Sequence, residues 1–465
     1  MSKVTSEELQ AKVSEAAERF GIPGVSVGVR HDGVEDYAVH GVTNVEHPLP
    51  VDADTMFMIG STGKLLTSTA LVRLQEQGRL DLGATVRTYL PGLKLKDEDV
   101  ARAVTVLQLV NHTSGWDGDY FEDTGNGDDA LERYAELMVD LEQVTPPGLI
   151  PSYNNSAVSL AGRVVEVVAE TTFEQAIRDL VFEPLGLEHS FYFPNDVMTR
   201  GFAVSHNAHD DGSIVVMTPW GEARSGNPAG SNIVMSARDL IGFGRFHMGD
   251  GTGADGSPVL PREALARMRE ATAGLGSTSL HGDHVGIAWF VREAGGVQIA
   301  EHGGDSPGQH CAFATVPERD FAVAALTNAS PRGSELVEEI ERWALEAYVG
   351  IVETEPEPVP MDAADLDAYA GVYETIAARL LVTVEGEGLL LGLEVKPEIL
   401  AQFGELAEEM LKSLPPPMPL ALVSREGAYV IAEGPQKGER GAFLRGDGGG
   451  VQGLHFGGRY GPRTE

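Results

Sequence analysis

Cysteine, lysine and long apolar runs are all scarce in this chain, and each shortage narrows what it can be. Its 465 residues include one cysteine, Cys311, so no internal disulfide can form. Cys311 lies in the strand-like run CAFATV, which predicts a buried structural thiol. The adjacent His310 falls on the opposite face of such a strand and cannot serve as its base. No run approaches the ~20 apolar residues that cross a bilayer. The N-terminal MSKVTSEELQAKVSEAAERF reads as an amphipathic polar helix, without the apolar stretch and small-residue cleavage site of a secretory signal. The expectation is a cytoplasmic protein. Basic residues number 34 against 70 acidic ones, for a formal net charge of −36. That balance argues against nucleic acid and against membrane surfaces as partners. Lysine is scarce even among the basic residues, which draws the eye to Lys64.

No internal repeat is present. The clearest boundary is GIVETEPEPVPMD (350–362), acidic, rich in proline and without apolar periodicity, which predicts an extended linker. Residues 1–349 then form one large domain and 363–465 a small one. The large domain opens with a helix and two strands, GVSVGVRHDG and EDYAVHGVTN, joined by a turn at Asp32-Gly33. Mostly helical and loop sequence follows to about residue 195, including a helix after Ser61 with Leu66, Ala70 and Leu74 on one apolar face. Strand patterns return at 285–291, 296–304, 311–316 and 321–328, and a helix over ELVEEIERWALEAYV closes the domain. This order predicts an α+β fold: an antiparallel sheet built from both ends of the domain, flanked by helices, with a helical subdomain inserted. The small domain has short alternating strands separated by glycine turns, which predicts a small antiparallel β-barrel, with the proline run at 415–419 in a loop between strands.

The stretch MFMIGSTGKLLT (56–67) sets the functional question. A phosphate loop needs glycine at Met58 and a hydroxyl at Leu65, and a nucleophile elbow needs glycine at Ile59, so both fail. Two readings remain. Ser61 caps a helix with Lys64 as an incidental first-turn side chain, or Ser61 is a nucleophile with Lys64 one turn away as its base. Lysine is a poor base at its ordinary pKa of about 10.4, so the second reading requires desolvation or a nearby cation. It also requires further polar groups. Tyr153 and Asn155 stand in PPGLIPSYNNSAV at a turn before a helix, where the phenol can act as a second base or proton shuttle and the amide can bind a substrate carbonyl or hold Lys64. His302 ends a strand and is followed by Gly303 and Gly304, which allow close approach of a ligand to the backbone. A backbone N–H there can pair with that of Ser61 as an oxyanion hole.

With these residues in hand the chain resembles the serine penicillin-binding protein and β-lactamase superfamily, in its class C-like hydrolase and esterase branch. The family's Ser-x-x-Lys, Tyr-x-Asn and Lys-Thr-Gly or His-x-Gly elements read here as Ser61-Thr62-Gly63-Lys64, Tyr153-Asn154-Asn155 and His302-Gly303-Gly304. Each triplet alone recurs by chance; their order, spacing and flanks (VTVLQLVNHTSGW, FEPLGLEHSFYF, PAGSNIVMSARDL, TVPERDFAVAALTN) make the match specific over roughly residues 5–350. The resemblance implies an acyl-enzyme on Ser61 with Lys64 as base. Tyr153 then relays a proton to the leaving group, Asn155 contacts the substrate amide and His302 completes the charge network. Gly303 and Gly304 line the substrate site, the N–H groups of Ser61 and Asp305 form the oxyanion hole, and no metal or organic cofactor takes part. Histidine in place of the family's lysine at 302, with Asp305 nearby, shifts the expectation from penicillins and free peptide C-termini to ester, aminopeptidase-like or thioester chemistry on a small-molecule or peptide acyl substrate. Through DLDAYAGVYE and HFGGRY the small domain resembles the lipocalin-like barrel of some family members, a module that borders the active-site mouth or serves packing alone. Length and spacing also suit a stand-alone thioesterase that macrocyclises nonribosomal peptides. A third reading, of another class, is a non-catalytic binding or sensor protein that kept the fold.

Other candidates are weaker. His206, His209, Asp210 and Asp211 have metal-like spacing but lie in a polar loop, and the expectation is no metal site. His112 is expected to order a buried turn. Trp116, Trp289 and the aromatics of 191–193 are expected in the core or in cleft walls.

Overall fold

The computed structural model describes residues 4–465 apart from 210, 280–281, 355, 387, 398, 401–410, 412–413, 435 and 447. Helix α1 (Ser6–Phe20) starts at a capping box, in which the Thr5 side chain accepts from Glu8 N–H and the Glu8 carboxylate accepts from Thr5 N–H. Its buried stripe, Leu9, Val13, Ala16 and Phe20, lies on the hairpin of β1 (Gly24–His31) and β2 (Val34–Gly41). The sheet is completed far down the chain by β3 (Ala273–Ser279), β4 (Gly282–Val285), β5 (Phe290–Ala294), β6 (Val297–Glu301), β7 (Gly304–Ser306), β8 (Gln309–Val316) and β9 (Phe321–Thr327). The order is β2-β1-β9-β8-β6-β5-β4-β3, with β7 paired to β8. Every pairing is antiparallel, and β1 meets β9 with Val27 opposite Ala325.

Between β2 and β3 runs the insert, which carries α2 (Lys64–Glu76), α3 (Asn155–Ala169) and α4 (Ala237–Met248); α5 (Gly333–Val349) follows the sheet. Helices α1 and α5 cover one face and α4 the other. Strands β8 and β9 are therefore buried on both faces, which is why they read as unbroken apolar runs. This is the expected α+β architecture.

Two details of this domain differ from expectation. The stretch 285–291 is not one strand: β4 ends at Val285 and β5 begins at Phe290. The turn between spends its N–H groups on the insert, Ile287 donating to Met268 O and Ala288, at φ +65°, to Val110 O. Helix α2 is buried on nearly every side, not on one face, because the insert's other segments surround it. Two of its hydroxyls find partners in that core, Thr67 donating to Pro228 O and Thr69 to Leu65 O.

The second body is an eight-stranded antiparallel meander: β10 (Gly371–Glu374), β11 (Ala378–Glu385), β12 (Gly388–Val395), β13 (Met418–Leu422), β14 (Ala428–Ile431), β15 (Arg440–Arg445), β16 (Val451–Phe456) and β17 (Arg459–Pro462). Val372 N donates to Glu465 O and Thr464 N to Val372 O, so first and last strands nearly close a barrel. Alternate residues, among them Leu380, Val382, Leu420, Tyr429, Phe443 and Leu454, fill its interior. Pro419 lies in β13 and not in the preceding loop; there only its carbonyl is needed, accepting from Ala432 N. No helix among the described residues is long and apolar enough to cross a membrane.

Candidate active site

Met56–Met58 pairs with Val234–Ser236, and Ile59 N–H bonds Ile233 O, so the chain enters the site on a fixed rail. Gly60–Gly63 form a single 3₁₀ turn, and α2 begins at Lys64. Ser61 is half-buried in that turn. It is not the helix cap: Gly63 holds that position, with no side-chain capping bond. Strand β7 lies backbone to backbone against the turn. A Cβ on Gly304 would sit 1.8 Å from Ile59 O and 3.0 Å from Ser61 N, and one on Gly60 would sit 2.6 Å from Asp305 N. Gly304 is thus occupied by the Ser61 turn, and of the two glycines expected to leave room for a ligand only Gly303 does, its Cβ meeting nothing nearer than Cys311 O at 3.6 Å.

Lys64 is 0% exposed. Its Nζ lies 2.9 Å from Ser61 Oγ, donates to Ala229 O at 2.5 Å, and stands 4.9 Å from the centre of the Tyr153 ring. Burial drives its pKa well below the usual amine value, and the charge of Arg459 pushes the same way; Asp119 and Glu222 oppose with smaller effect. Tyr153 is 7% exposed and hydrogen-bonded to Ser61, and burial drives its phenol far above its ordinary value. The same desolvation therefore acts in opposite chemical senses on the two neighbours: it loosens the hold of the amine on its proton and tightens that of the phenol. A lowered amine can take a proton and a raised phenol can give one.

Around this pair, His302 is 2% exposed. Its Nδ1 donates to Gly303 O at 2.6 Å, its carbonyl accepts from Thr62 Oγ1, and its ring stands 5.0 Å from Phe290 and 6.3 Å from Tyr153. Asn154 caps α3 by accepting from Ala157 N–H, and this sets Tyr153 just ahead of the helix with Asn155 as its first residue. The Asn155 amide is turned to Asp119, donating to Oδ1 at 3.1 Å.

Asp119 leads to the residue that reading the sequence missed. Arg459, at the tip between β16 and β17, grips both Asp119 oxygens through Nε at 2.8 Å and Nη2 at 2.9 Å, and its guanidinium lies 4.9 Å from the Tyr153 ring centre. Beside it Tyr153 N–H donates to Gly458 O at 2.9 Å, and Tyr460 N–H donates to Ser152 Oγ at 3.1 Å. Asp117, in the same loop as Asp119, accepts from Ile376 N–H of the barrel. Between loop and barrel is a cavity of about 120 Å³ lined by Trp116, Ile376, Leu393, Phe456 and Tyr460, with Arg459 on its wall. The available signal was HFGGRY itself, a two-glycine turn presenting an arginine.

The remaining candidates have structural places. Cys311 is buried against Thr62, and burial pushes its thiol up to about 12. His206 accepts from Val45 N–H and donates to Asn328 O. His112 accepts from Asn154 N–H, its ring between Tyr153 and Phe290. Trp116 donates to Ser156 Oγ, Trp289 is core, and of 191–193 only Tyr192 is fully buried.

A serine on a helix-opening turn beside a buried lysine, with an antiparallel sheet and a helical insert, is an arrangement that points to a class, the serine hydrolases of the β-lactamase and penicillin-binding protein type. The Beta-lactamase family model matches residues 9–348, and the chain belongs to that family. Penicillin-binding protein 4 of Amycolatopsis lactamdurans is 34% identical over 364 residues, covering 76% of this chain and 93% of its own. The crystal structure of SurE superposes with a TM-score of 0.76 at 22% identity over 99% of both chains. The class C β-lactamase from Rhodobacter sphaeroides reaches a TM-score of 0.58 at 23% identity, covering 71% of this chain and 97% of its own.

Proposed function

We propose that this protein is a serine acyl hydrolase or acyl transferase that forms an acyl-enzyme on Ser61 from a peptide, amide or (thio)ester carbonyl. The observation that carries the reading is the wholly buried Lys64 amine, 2.9 Å from Ser61 Oγ and held below its ordinary pKa. Lys64 takes the Ser61 proton as Oγ attacks the carbonyl carbon. The N–H groups of Ser61 and Asp305 receive the oxyanion, helped by the positive end of α2. As the carbon–leaving-group bond breaks, Tyr153 gives its proton to the departing atom and regains one from Lys64. Water or an amine then attacks the ester carbonyl in the reverse order, and Ser61 is reprotonated. Both steps balance without a cofactor. His302 cannot supply the permanent cation of the lysine-bearing relatives, which favours esters, thioesters and amides over substrates anchored by a carboxylate at that point. An activated ester tests the reading: Ser61→Ala loses about 10⁴-fold or more of turnover, and unchanged turnover sinks it.

A second reading is favoured by the barrel tip. Arg459 and Gly458 cover Tyr153, so one side of an acyl-enzyme here is shielded from bulk water. Such shielding gives an amine on the acyl chain itself the advantage over hydrolysis, as in a stand-alone thioesterase that off-loads and macrocyclises nonribosomal peptides. Mass spectrometry after reaction with a peptidyl thioester mimic decides between them: cyclic product supports the cyclase, and linear product alone counts against it.

A further inference from the structure

Strand β7 contains a liability for the chemistry just described. Ser306 and Gln309 close a two-residue turn, so the next pair, Asp305 opposite His310, is the one without ladder bonds, and Asp305 N–H points away from β8 toward the Ser61 turn. The same residue carries a carboxylate, close enough to Tyr153 to oppose its ionisation. An anion beside an oxyanion hole opposes the charge the hole exists to stabilise.

The structure gives that carboxylate a definite partner. Its side chain is 76% exposed, yet Oδ1 lies 2.5 Å from Nδ1 of His310, whose own side chain is only 10% exposed. A carboxylate can only accept, so Nδ1 carries the hydrogen; on the other side of the ring Nε2 lies 2.8 Å from the Ser330 hydroxyl. Ser330 stands on the two-residue strand Ala329–Ser330, just before α5, and Glu338 of α5 feels both Asp305 and His310.

We propose that His310 is a positioning residue for the oxyanion hole: through Asp305, and braced by Ser330, it draws the carboxylate's charge away from the reacting carbonyl while the Asp305 N–H remains aimed at it. The proposal rests on the acyl-enzyme reading above and adds to it a group that touches no substrate. It predicts an effect on the charged transition state and little on ground-state binding. His310→Ala lowers the acylation rate constant of a chromogenic ester on the order of 10–100-fold, a fraction of the loss seen when an oxyanion donor is deleted, with KM within about twofold. His310→Asn, whose amide can replace the Nδ1 donor, stays near wild type. The deciding arm is Asp305→Asn in the His310→Ala background: removing the charge restores most of the lost rate. Thermal melts of all three variants identify any that fail to fold. An His310→Ala rate within twofold of wild type overturns the proposal, as does an Asn variant as slow as Ala, or a double variant no faster than the single. Ser61→Ala, run in parallel, tests the nucleophile separately, so the two ideas fail independently.

Discussion

Ser61 and Asp305 meet backbone to backbone across two glycines, whereas Arg459 reaches the same site from a separate barrel on the tip of a two-glycine turn. The first junction sits in the family's sheet and insert, in a continuous apolar core. The second is held by one bidentate ion pair and a few hydrogen bonds over a cavity, with a barrel core of its own. The difference separates tasks. On the proposed mechanism close packing fixes the atoms that must not move during acyl transfer, and the contact with the barrel adds a cation and a cover.

That contrast can be attacked from either side. Lys64→Ala removes the base and is expected to cost at least ~10⁴-fold in kcat, measured on an activated ester with the folded variant. Gly304→Ala drives a methyl into Ile59 O, where no rotamer can relieve it. The expected result is a loss of about 10²–10³-fold with a lowered melting temperature, in keeping with a displaced oxyanion donor. Arg459→Gln should be milder, about 10–100-fold at neutral pH if it acts through orientation and charge alone. Its signature is in the pH profile. On the proposed mechanism Lys64 works as a base only when neutral, so acylation is expected to rise as pH passes its folded value, which lies well below that of a free lysine. Removing the cation raises that value, so the rising limb moves to higher pH; a limb that stays put detaches Arg459 from the chemistry. Leu454→Ala opens a void in the barrel and is expected to cost about 2–5 kcal/mol there, read as an earlier barrel transition by calorimetry. Below that transition activity is unchanged. Smallest of all, Cys311→Ala should alter turnover less than twofold, and the native thiol, pushed up to about 12, should resist alkylation at pH 8.

The sheet and its helical insert were legible because burial on two faces writes long apolar runs, and the hairpin turn at Asp32-Gly33 writes its own signal, both residues taking positive φ. Ser61, Lys64, Tyr153 and His302 converge in space because each stands at the start or end of an element that the pattern marks. Asn155 was legible as a residue but not in its direction, since its amide is turned by Asp119, a loop aspartate without periodicity. The break at Gly286–Trp289 was illegible for a similar reason, its N–H groups being taken by Met268 and Val110 from distant segments. Arg459 was hidden by separation along the chain: nothing local to HFGGRY says that it lands on Tyr153.

That separation has a consequence in time. Synthesis at roughly 5–20 residues per second delivers Ser61, Lys64 and Tyr153 long before the Gly458 carbonyl that Tyr153 N–H will bond and the guanidinium that will depress the lysine. On the proposed mechanism a nascent or truncated chain therefore lacks that cation and the backbone bond at Tyr153 until this hairpin emerges and docks, and burial alone is left to lower the Lys64 amine.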